Sequence, residues 1–257
     1  MCGIFAYFGS SDKAAEIVLK GLKKLEYRGY DSWGIAAKMQ DGEVKIEKHV
    51  GKISEVINLN DELTKSAHLA LGHSRWATHG GVTKYNAHPH NSANNEVVIA
   101  HNGIFENYTE LKEELIGKGY KFQSETDTEV FAHLIADNLD KGFEEAFKLA
   151  TKRVDGRYGV IAMCKAENKL SAARRGSPLI IGRDENGTHF IASDVPAFLE
   201  YTKEVMYLDD NEMVVIENNE SQFSDLETGE KIDKRVVSID WEVEEAEKGD
   251  YPHFMIK

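Results

Sequence analysis

Short apolar runs typical of β-strands occur at both ends of the chain, with a helical block between them, and this order limits the possible folds more than any other feature. Five runs in the first part predict strands over residues 3–8, 34–39, 43–49, 67–72 and 96–101. Asp41-Gly42 separates two of these runs and is typical of a tight hairpin, because glycine tolerates positive φ. Six later runs predict strands over residues 160–165, 170–174, 179–183, 189–193, 205–208 and 213–217.

Apolar residues with helical spacing predict one early helix and three central ones. The early helix has its apolar face at Ala14, Val18, Gly21, Leu22 and Leu25. The central helices have theirs at Leu111 and Leu115, at Val130, Leu134 and Ile135, and at Phe143, Phe147 and Ala150. Asn107 and Glu110 have the spacing of a capping box before the first of these. Strands, then helices, then strands predict sheets covered by helices.

Composition excludes several classes of function. The 257 residues are 41% hydrophobic and 29% charged, which indicates one globular domain, and the net charge of −13 leaves no basic surface for nucleic acid. No apolar run approaches the roughly 18 residues of a membrane span, and the N-terminus lacks a secretory signal. The only two cysteines, Cys2 and Cys164, fit a reducing compartment. We therefore expect a cytoplasmic protein that uses neither membrane nor nucleic acid as a partner.

Cys2 is the residue with the most informative position. Removal of Met1 would place a thiol and a free α-amine on one residue, and an α-amine with a pKa of about 7.7 to 8.0 can accept the thiol proton. The alternative is a small buried side chain at the start of a strand, and position alone favours that alternative. Cys164 lies in the middle of a predicted strand and is expected to fill the core.

Six segments that follow one another along the sequence resemble those of a known enzyme family. Together they closely resemble the glutaminase domain of the glutamine:fructose-6-phosphate aminotransferases, and the similarity extends from Cys2 to about residue 255. Two later segments, 172–179 and 192–194, also fit this family. The six segments are Met1-Cys2-Gly3-Ile4, Leu25-Glu26-Tyr27-Arg28-Gly29-Tyr30-Asp31-Ser32, Gly72-His73-Ser74-Arg75-Trp76-Ala77-Thr78-His79-Gly80, Asn86-Ala87-His88-Pro89-His90, His101-Asn102-Gly103-Ile104 and Ser124-Glu125-Thr126-Asp127-Thr128-Glu129.

The resemblance implies an α+β fold, the four-layer α/β/β/α sandwich of N-terminal nucleophile hydrolases, with two antiparallel sheets. It implies a glutaminase domain over residues 2–247 and the start of a linker at 248–257, which leads to a sugar-phosphate isomerase domain that this chain lacks. Cys2 would release ammonia from L-glutamine, and the full-length enzyme would use that ammonia to convert fructose 6-phosphate to glucosamine 6-phosphate. The family needs no cofactor for this step, and the full-length enzyme is expected to be a homo-oligomer.

The resemblance also assigns roles in the site. Asn102 and Gly103 match the pair that stabilises the oxyanion, although an Asn-Gly dipeptide alone is more typical of a turn at a strand end. Arg75 matches the residue that binds the α-carboxylate of glutamine, and Asp127 the one that binds its α-ammonium. The alternatives are an ordinary strand-end ion pair for Arg75 and a helix N-cap for Asp127, and the N-cap is compatible with binding.

Further residues match a loop that closes over glutamine in the family, namely Trp76, Thr78, His79 and Gly80. Arg28 matches an arginine near the nucleophile, with a surface cation as the alternative. The histidines at positions 73, 79, 88, 90 and 101 suggest a metal site at first sight. Their spacings match no zinc signature and the family uses no metal, so no metal is expected.

Two other functions are compatible with the sequence. The chain could be the glutaminase domain of amidophosphoribosyltransferase, asparagine synthetase or glutamate synthase, but the segments 27–32 and 75–80 favour the sugar-phosphate enzyme. It could also be a non-catalytic glutamine sensor, and the presence of Cys2 argues against that.

Overall fold

The computed structural model describes residues 2–240, which include four α-helices and fifteen β-strands. The predicted domain end at 247 and the linker start at 248–257 lie outside the described residues. The helices are α1 (Ala14–Lys24), α2 (Tyr108–Gly117), α3 (Glu129–Ala136) and α4 (Phe143–Arg153). The strands are β1 (Gly3–Phe8), β2 (Ser32–Met39), β3 (Val44–Val50), β4 (Ala67–Arg75), β5 (His90–Asn91), β6 (Val97–Phe105), β7 (Gly156–Cys164), β8 (Leu170–Arg175), β9 (Ile180–Arg183), β10 (His189–Ala192), β11 (Glu204–Tyr207), β12 (Glu212–Glu217), β13 (Glu220–Asp225), β14 (Lys231–Ile232) and β15 (Val237–Ser238).

These strands form two sheets with antiparallel pairing throughout. The first sheet has eight strands in the order β15-β11-β9-β10-β1-β4-β2-β3. The second has seven strands in the order β14-β13-β12-β8-β7-β6-β5. The predicted strands are therefore confirmed, and the hairpin at Asp41-Gly42 joins β2 to β3.

Alternating side chains of the central strands pack into different cores, because successive residues of a strand point to opposite faces. On β1, Phe5 and Tyr7 pack with α1 on the outer face, whereas Ile4, Ala6 and Phe8 pack between the two sheets. Each large apolar side chain buried in this way contributes about 1.5 to 3 kcal/mol of transfer free energy. Burial on both faces explains why β1 is apolar without interruption.

The helices cover the outer faces of both sheets. Helix α1 packs on the first sheet, and α2, α3 and α4 pack on the second, around a core that includes Phe105, Phe131 and Phe147. The order of layers is helix, sheet, sheet, helix. This arrangement confirms the predicted four-layer α/β/β/α sandwich.

Two details differ from the sequence expectations. The capping box is wrong, because the side chain of Asn107 does not cap α2 but instead donates to the Arg153 carbonyl at 2.9 Å and accepts from the Asp155 N–H at 3.0 Å. These contacts with the last residue of α4 and the segment that follows it take the place of the local cap. Strand β6 also continues to Phe105, so Asn102-Gly103 lies inside a strand and is not a turn.

Candidate active site

Cys2 lies directly before β1, beside the loop that follows β4. Its Sγ atom accepts a hydrogen bond from the N–H of Trp76 at 3.1 Å and lies 3.5 Å from the carbonyl oxygen of the same residue. Burial raises the pKa of the Cys2 thiol above its usual value, although the Trp76 hydrogen bond and the nearby Arg75 charge act in the opposite direction. The thiol is therefore protonated near neutral pH and needs a base before it can act as a nucleophile.

Asn102 and Gly103 lie near the end of β6, next to Cys2. The Asn102 Nδ2 atom donates to the carbonyl oxygen of Cys2 at 2.9 Å, and Oδ1 accepts from Nε2 of His73 at 3.0 Å. Gly103 has a φ of +130°, and a Cβ atom there would lie 1.9 Å from the carbonyl oxygen of Arg157. Only glycine fits this position, because both the backbone conformation and the approach of β7 exclude a side chain.

A series of hydrogen bonds leads from Asp194 to the carbonyl of Cys2. Arg28 donates from Nε to this carbonyl at 3.2 Å, and its Nη1 atom forms a 2.9 Å ion pair with Asp194. The hydroxyl of Tyr27 donates to the same carboxylate oxygen at 2.5 Å. The Arg28 side chain is 9% exposed, so the alternative of a surface cation is wrong. Sequence reasoning did not select Asp194, although the matching segment 192–194 contained the signal.

Arg75 ends β4 and holds the loop that follows. Its guanidinium donates to the carbonyl oxygens of His79 and Gly81, the latter at 3.1 Å. The N–H of Ala77 donates to the Asp31 carboxylate at 2.8 Å and fixes the start of the loop. Arg75 forms no ion pair with the residues that the structure describes, so the alternative of a strand-end ion pair is wrong.

Asn86 and Glu125 fix the far end of this loop. Nδ2 of Asn86 donates to the carbonyl oxygen of Gly81 at 3.0 Å and to the carboxylate of Glu125 at 2.8 Å. The N–H of Glu125 donates back to Oδ1 of Asn86 at 2.9 Å. Trp76 remains 46% exposed beside Tyr30, with 5.6 Å between the ring centroids, so it is not a core residue.

Two adjoining cavities meet at Cys2, and together they include every residue predicted for the site except the loop residue Gly80. The inner cavity has a volume of about 30 Å³, and the predicted residues on its wall are Cys2, Arg75, Trp76, Thr78, His79, Gly103 and Asp127. The outer cavity has a volume of about 470 Å³, and the predicted residues on its wall are Cys2, Arg28, Trp76, Thr78, Asn102 and Gly103. The structure thus brings together predicted residues from five separate segments of the chain.

Asp127 is 5% exposed, and its Oδ2 atom accepts a hydrogen bond from the N–H of Phe105 at 2.8 Å. The N-cap of α3 is Thr128, and no side chain caps this helix. The N-cap alternative for Asp127 is therefore wrong. Its carboxylate instead joins the start of α3 to the end of β6 on the wall of the inner cavity.

Four histidines are buried around the inner cavity and behind it. Burial lowers the pKa of His73 to about 3 and that of His101 to about 4, and it holds the pKa values of His88 and His90 well below the ordinary value. These rings are neutral at physiological pH. Among residues 2–240 no three His, Cys, Asp or Glu side chains are grouped so that they could hold a metal ion.

Two threonines that sequence reasoning missed also line the inner cavity. The hydroxyl of Thr128 lies 2.9 Å from Nδ1 of His101, and that of Thr126 lies 3.0 Å from Nε2 of His90. Both threonines flank Asp127 in one of the matching segments, so their positions beside the site could have been inferred from that segment.

Comparison with known proteins assigns the family. The model of the glutamine amidotransferase domain matches residues 34–236, well over half of the chain. The chain belongs to the glutamine amidotransferase domain family. Cys2 and Arg28 lie before the matched span, whereas Arg75, Asn102 and Asp127 lie within it.

Relatives of this glutamine amidotransferase domain extend the similarity to the whole chain. Glutamine–fructose-6-phosphate aminotransferase (isomerizing) of Pyrococcus horikoshii is 45% identical over 260 residues, which cover 100% of this chain and 43% of that protein. The enzyme of the same name from Thermus thermophilus is 44% identical over 257 residues, which cover 100% of this chain and 42% of that protein. The chain therefore spans less than half the length of these relatives, and the resemblance stated from the sequence is confirmed.

Solved structures support the same fold. Glutamine phosphoribosylpyrophosphate amidotransferase of B. subtilis, complexed with ADP and GMP, superposes with a TM-score of 0.74 at 29% identity. The match covers 88% of this glutamine amidotransferase domain and 50% of that chain.

No helix among residues 2–240 is long and apolar enough to cross a membrane.

Proposed function

We propose that this domain hydrolyses L-glutamine to glutamate and ammonia with the thiol of Cys2 as the nucleophile. The observation that carries the proposal is the position of Cys2, where the inner and outer cavities meet. On one side lie a guanidinium and a carboxylate, those of Arg75 and Asp127, and on the other lies the side-chain amide of Asn102. Hydrolysis of a free amino-acid amide needs groups of these kinds around its nucleophile.

The reaction proceeds in two steps. The α-amine of Cys2, free once Met1 has been removed, accepts the thiol proton, and the sulfur attacks the side-chain carbonyl carbon of glutamine. The C–N bond then breaks, the nitrogen takes the proton and leaves as ammonia, and a γ-glutamyl thioester remains on Cys2. Water attacks this thioester, the C–S bond breaks, and glutamate and the protonated thiol are released.

An α-amine suits the role of base better than His101 does. The pKa of the amine, about 7.7 to 8.0, is close to neutral pH. His101 also lines the inner cavity, but burial lowers its pKa to about 4, so it accepts a proton poorly near neutral pH. The amine is therefore a stronger base than His101 near neutral pH.

Asn102 and Gly103 stabilise the negative charge that develops on the carbonyl oxygen. One N–H of the Asn102 amide donates to the carbonyl of Cys2, and an amide nitrogen has a second N–H to offer the substrate. The N–H of Gly103 is the second donor. Loss of one such donor costs about 10² to 10³ in rate.

Arg75 and Asp127 recognise the amino-acid end of glutamine. The guanidinium of Arg75 pairs with the α-carboxylate, and the carboxylate of Asp127 pairs with the α-ammonium. The inner cavity, about 30 Å³, is too small for glutamine, and the Arg75 guanidinium bonds to loop carbonyls. Glutamine binding therefore requires the loop of residues 76–81 to move and Arg75 to exchange carbonyl partners for the substrate.

The remaining predicted residues act around this centre. Arg28 fixes the Cys2 carbonyl, since it is itself held by Asp194. Trp76, Thr78 and His79 line the cavities on the loop and close over the bound glutamine.

For the whole protein we propose the reaction of its relatives, in which the ammonia converts fructose 6-phosphate to glucosamine 6-phosphate. Residues 2–247 form the glutaminase domain, and 248–257 begin the linker to an isomerase domain. The full-length enzyme is a cytoplasmic homo-oligomer that needs no cofactor for glutamine hydrolysis. Two free cysteines support a reducing compartment.

The test is glutamate release by protein whose intact mass shows that Met1 is absent. Wild-type protein should release glutamate from glutamine, with asparagine a far poorer substrate, and Cys2→Ala should release none while its circular dichroism spectrum is unchanged. Glutamine binding without hydrolysis by the wild type would instead support a sensor. Near-wild-type turnover by Cys2→Ala would exclude the mechanism.

A further inference from the structure

We infer that His73 is a positioning residue, which fixes the side-chain amide of Asn102 in the orientation that oxyanion stabilisation needs. The inference rests on the proposed function, and it assigns a role to a histidine that the proposed reaction leaves unused. His73 belongs to β4 of the first sheet and Asn102 to β6 of the second, so the contact joins the two sheets behind the nucleophile.

The hydrogen bonds of His73 fix the proton on its ring. Nε2 lies 3.1 Å from the carbonyl oxygen of His101 and 3.0 Å from Oδ1 of Asn102. A main-chain carbonyl can only accept, so Nε2 carries the hydrogen and donates. The other ring nitrogen, Nδ1, has no hydrogen-bond partner among the described residues. The neutral Nε2–H tautomer is therefore the form that this environment selects.

This donor determines which end of the Asn102 amide faces Cys2. With Nε2–H as a donor, the nearby amide atom must be the oxygen, and Nδ2 then points to the Cys2 carbonyl at 2.9 Å. The flipped amide would place an N–H group against the N–H of His73 and an oxygen against the oxygen of Cys2. Both contacts of the flipped form are repulsive, so His73 keeps the two N–H groups of Asn102 on the side of the nucleophile.

The surroundings of His73 hold the ring in place and keep it neutral. The ring is fully buried and stacks on His88, with centroids 4.1 Å apart and an interplanar angle of 15°. Burial lowers the pKa of His73 to about 3, so the ring keeps a single hydrogen throughout the physiological range. A fixed, neutral ring is suited to orient an amide and not to transfer protons.

The first test compares two substitutions of His73 in protein with Met1 removed. His73→Phe keeps a ring but removes the donor, and we expect kcat to fall about tenfold to a hundredfold with KM changed less than about threefold, because a misplaced donor costs up to about 10² in rate. His73→Gln restores an N–H donor and should recover at least about a third of the wild-type kcat. His189→Phe is the matched control, since His189 is a buried histidine on β10 outside both cavities, and its kcat should equal that of the wild type.

A double-mutant cycle separates positioning from general damage. If His73 acts through Asn102, then His73→Phe should lower kcat no further in an Asn102→Ala background. Full additivity of the two effects would overturn the inference, and so would an unchanged kcat in His73→Phe.

A readout that does not depend on activity keeps the inference separate from the proposed function. The side-chain NH₂ signals of Asn102, assigned by their loss in Asn102→Ala, should exchange with water at least about tenfold faster in His73→Phe than in wild type or His73→Gln. Equal exchange in all three proteins would refute the role of His73 even if the domain is an active glutaminase. The wild-type protein could instead fail to hydrolyse glutamine while the three proteins show the expected exchange rates. That result would refute the proposed function but leave the contact between His73 and the Asn102 amide intact.

Discussion

The side-chain amide of Asn102 donates a 2.9 Å hydrogen bond to the main-chain carbonyl of Cys2, a residue 100 positions earlier in the chain. Arg28 donates to the same carbonyl at 3.2 Å. The backbone of Cys2 is thus held from two sides while its thiol faces both cavities. A nucleophile whose own backbone is fixed needs little reorganisation to reach the attacking geometry.

Substitution of either residue that is proposed to recognise the charged groups of glutamine should weaken substrate binding. Arg75→Lys loses the planar fork and Asp127→Asn loses the counter-charge, so each should cost about 2 to 5 kcal/mol of apparent binding free energy, seen mainly as a higher KM. Arg153→Lys is the control, because Arg153 lies in an exposed ion pair with Glu114. An unchanged KM in both test variants would remove Arg75 and Asp127 from the pocket.

The Gly103→Ala substitution should damage both the fold and the proposed oxyanion site. The added Cβ would meet the Arg157 carbonyl oxygen at 1.9 Å, so β6 and β7 must separate locally, at a cost of about 1 to 3 kcal/mol in unfolding free energy. In Gly117→Ala, at the end of α2, the Cβ would meet nothing within 4 Å, and stability should be equal or slightly higher. Urea unfolding of both variants measures the difference, and equal stabilities would contradict the crowding at Gly103.

Acid should destabilise the protein through its buried neutral histidines. Burial lowers the pKa of His189 to about 4, whereas the unfolded value is about 6.5. Between these values the unfolded chain binds a proton that the folded chain does not, so the unfolding free energy falls as pH falls from about 6.5 towards 4.

His189→Phe removes one of these titrating groups and tests the sign. Urea unfolding at pH 7 and pH 5 should show a loss of stability that is smaller in this variant than in the wild type by up to about 2 kcal/mol. His73 and His101, with pKa values lowered to about 3 and about 4, contribute to the remaining loss. A pH dependence that is identical in wild type and variant would show that His189 takes up its proton while folded.

The layers of the fold could be predicted because they depend on local patterns. The uninterrupted apolar run at 3–8 and the helical spacing at 14–25 determine a buried strand and the helix that covers it. The capping box at Asn107 failed because a distant carbonyl, that of Arg153, binds the side chain that a local rule assigns to the helix end. Local spacing carries no information about such a competitor.

The candidate site could be predicted residue by residue only through the resemblance, since its members come from distant segments. The segment 192–194 fits the family, but nothing in it shows that the carboxylate of Asp194 holds Arg28 from 166 positions away. The hydrogen bonds from Arg75 to the carbonyls of its own loop were also missed. A resemblance indicates which ligand a residue binds, but not which groups it contacts in the protein without that ligand.

Retention of Met1 should nearly abolish activity. The amine of Cys2 is then an amide nitrogen, which cannot accept the thiol proton. Treatment with a methionine aminopeptidase, followed by intact mass, should restore glutamate release without any other change, and Cys2→Ala treated in the same way should stay inactive. Equal activity before and after treatment would place the base elsewhere, with His79 and His101 the first residues to test.

Covalent labelling with 6-diazo-5-oxo-norleucine, a glutamine-like electrophile, tests the central claim most directly. Cys164 is an internal control, because it is 1% exposed within the core and its thiol pKa is raised by burial. In protein without Met1, peptide mapping should find one adduct per chain, on Cys2, and excess L-glutamine should prevent it. An adduct mainly on Cys164, or a Cys2 adduct that glutamine does not prevent, would contradict the assignment of Cys2 as the nucleophile of a glutamine site.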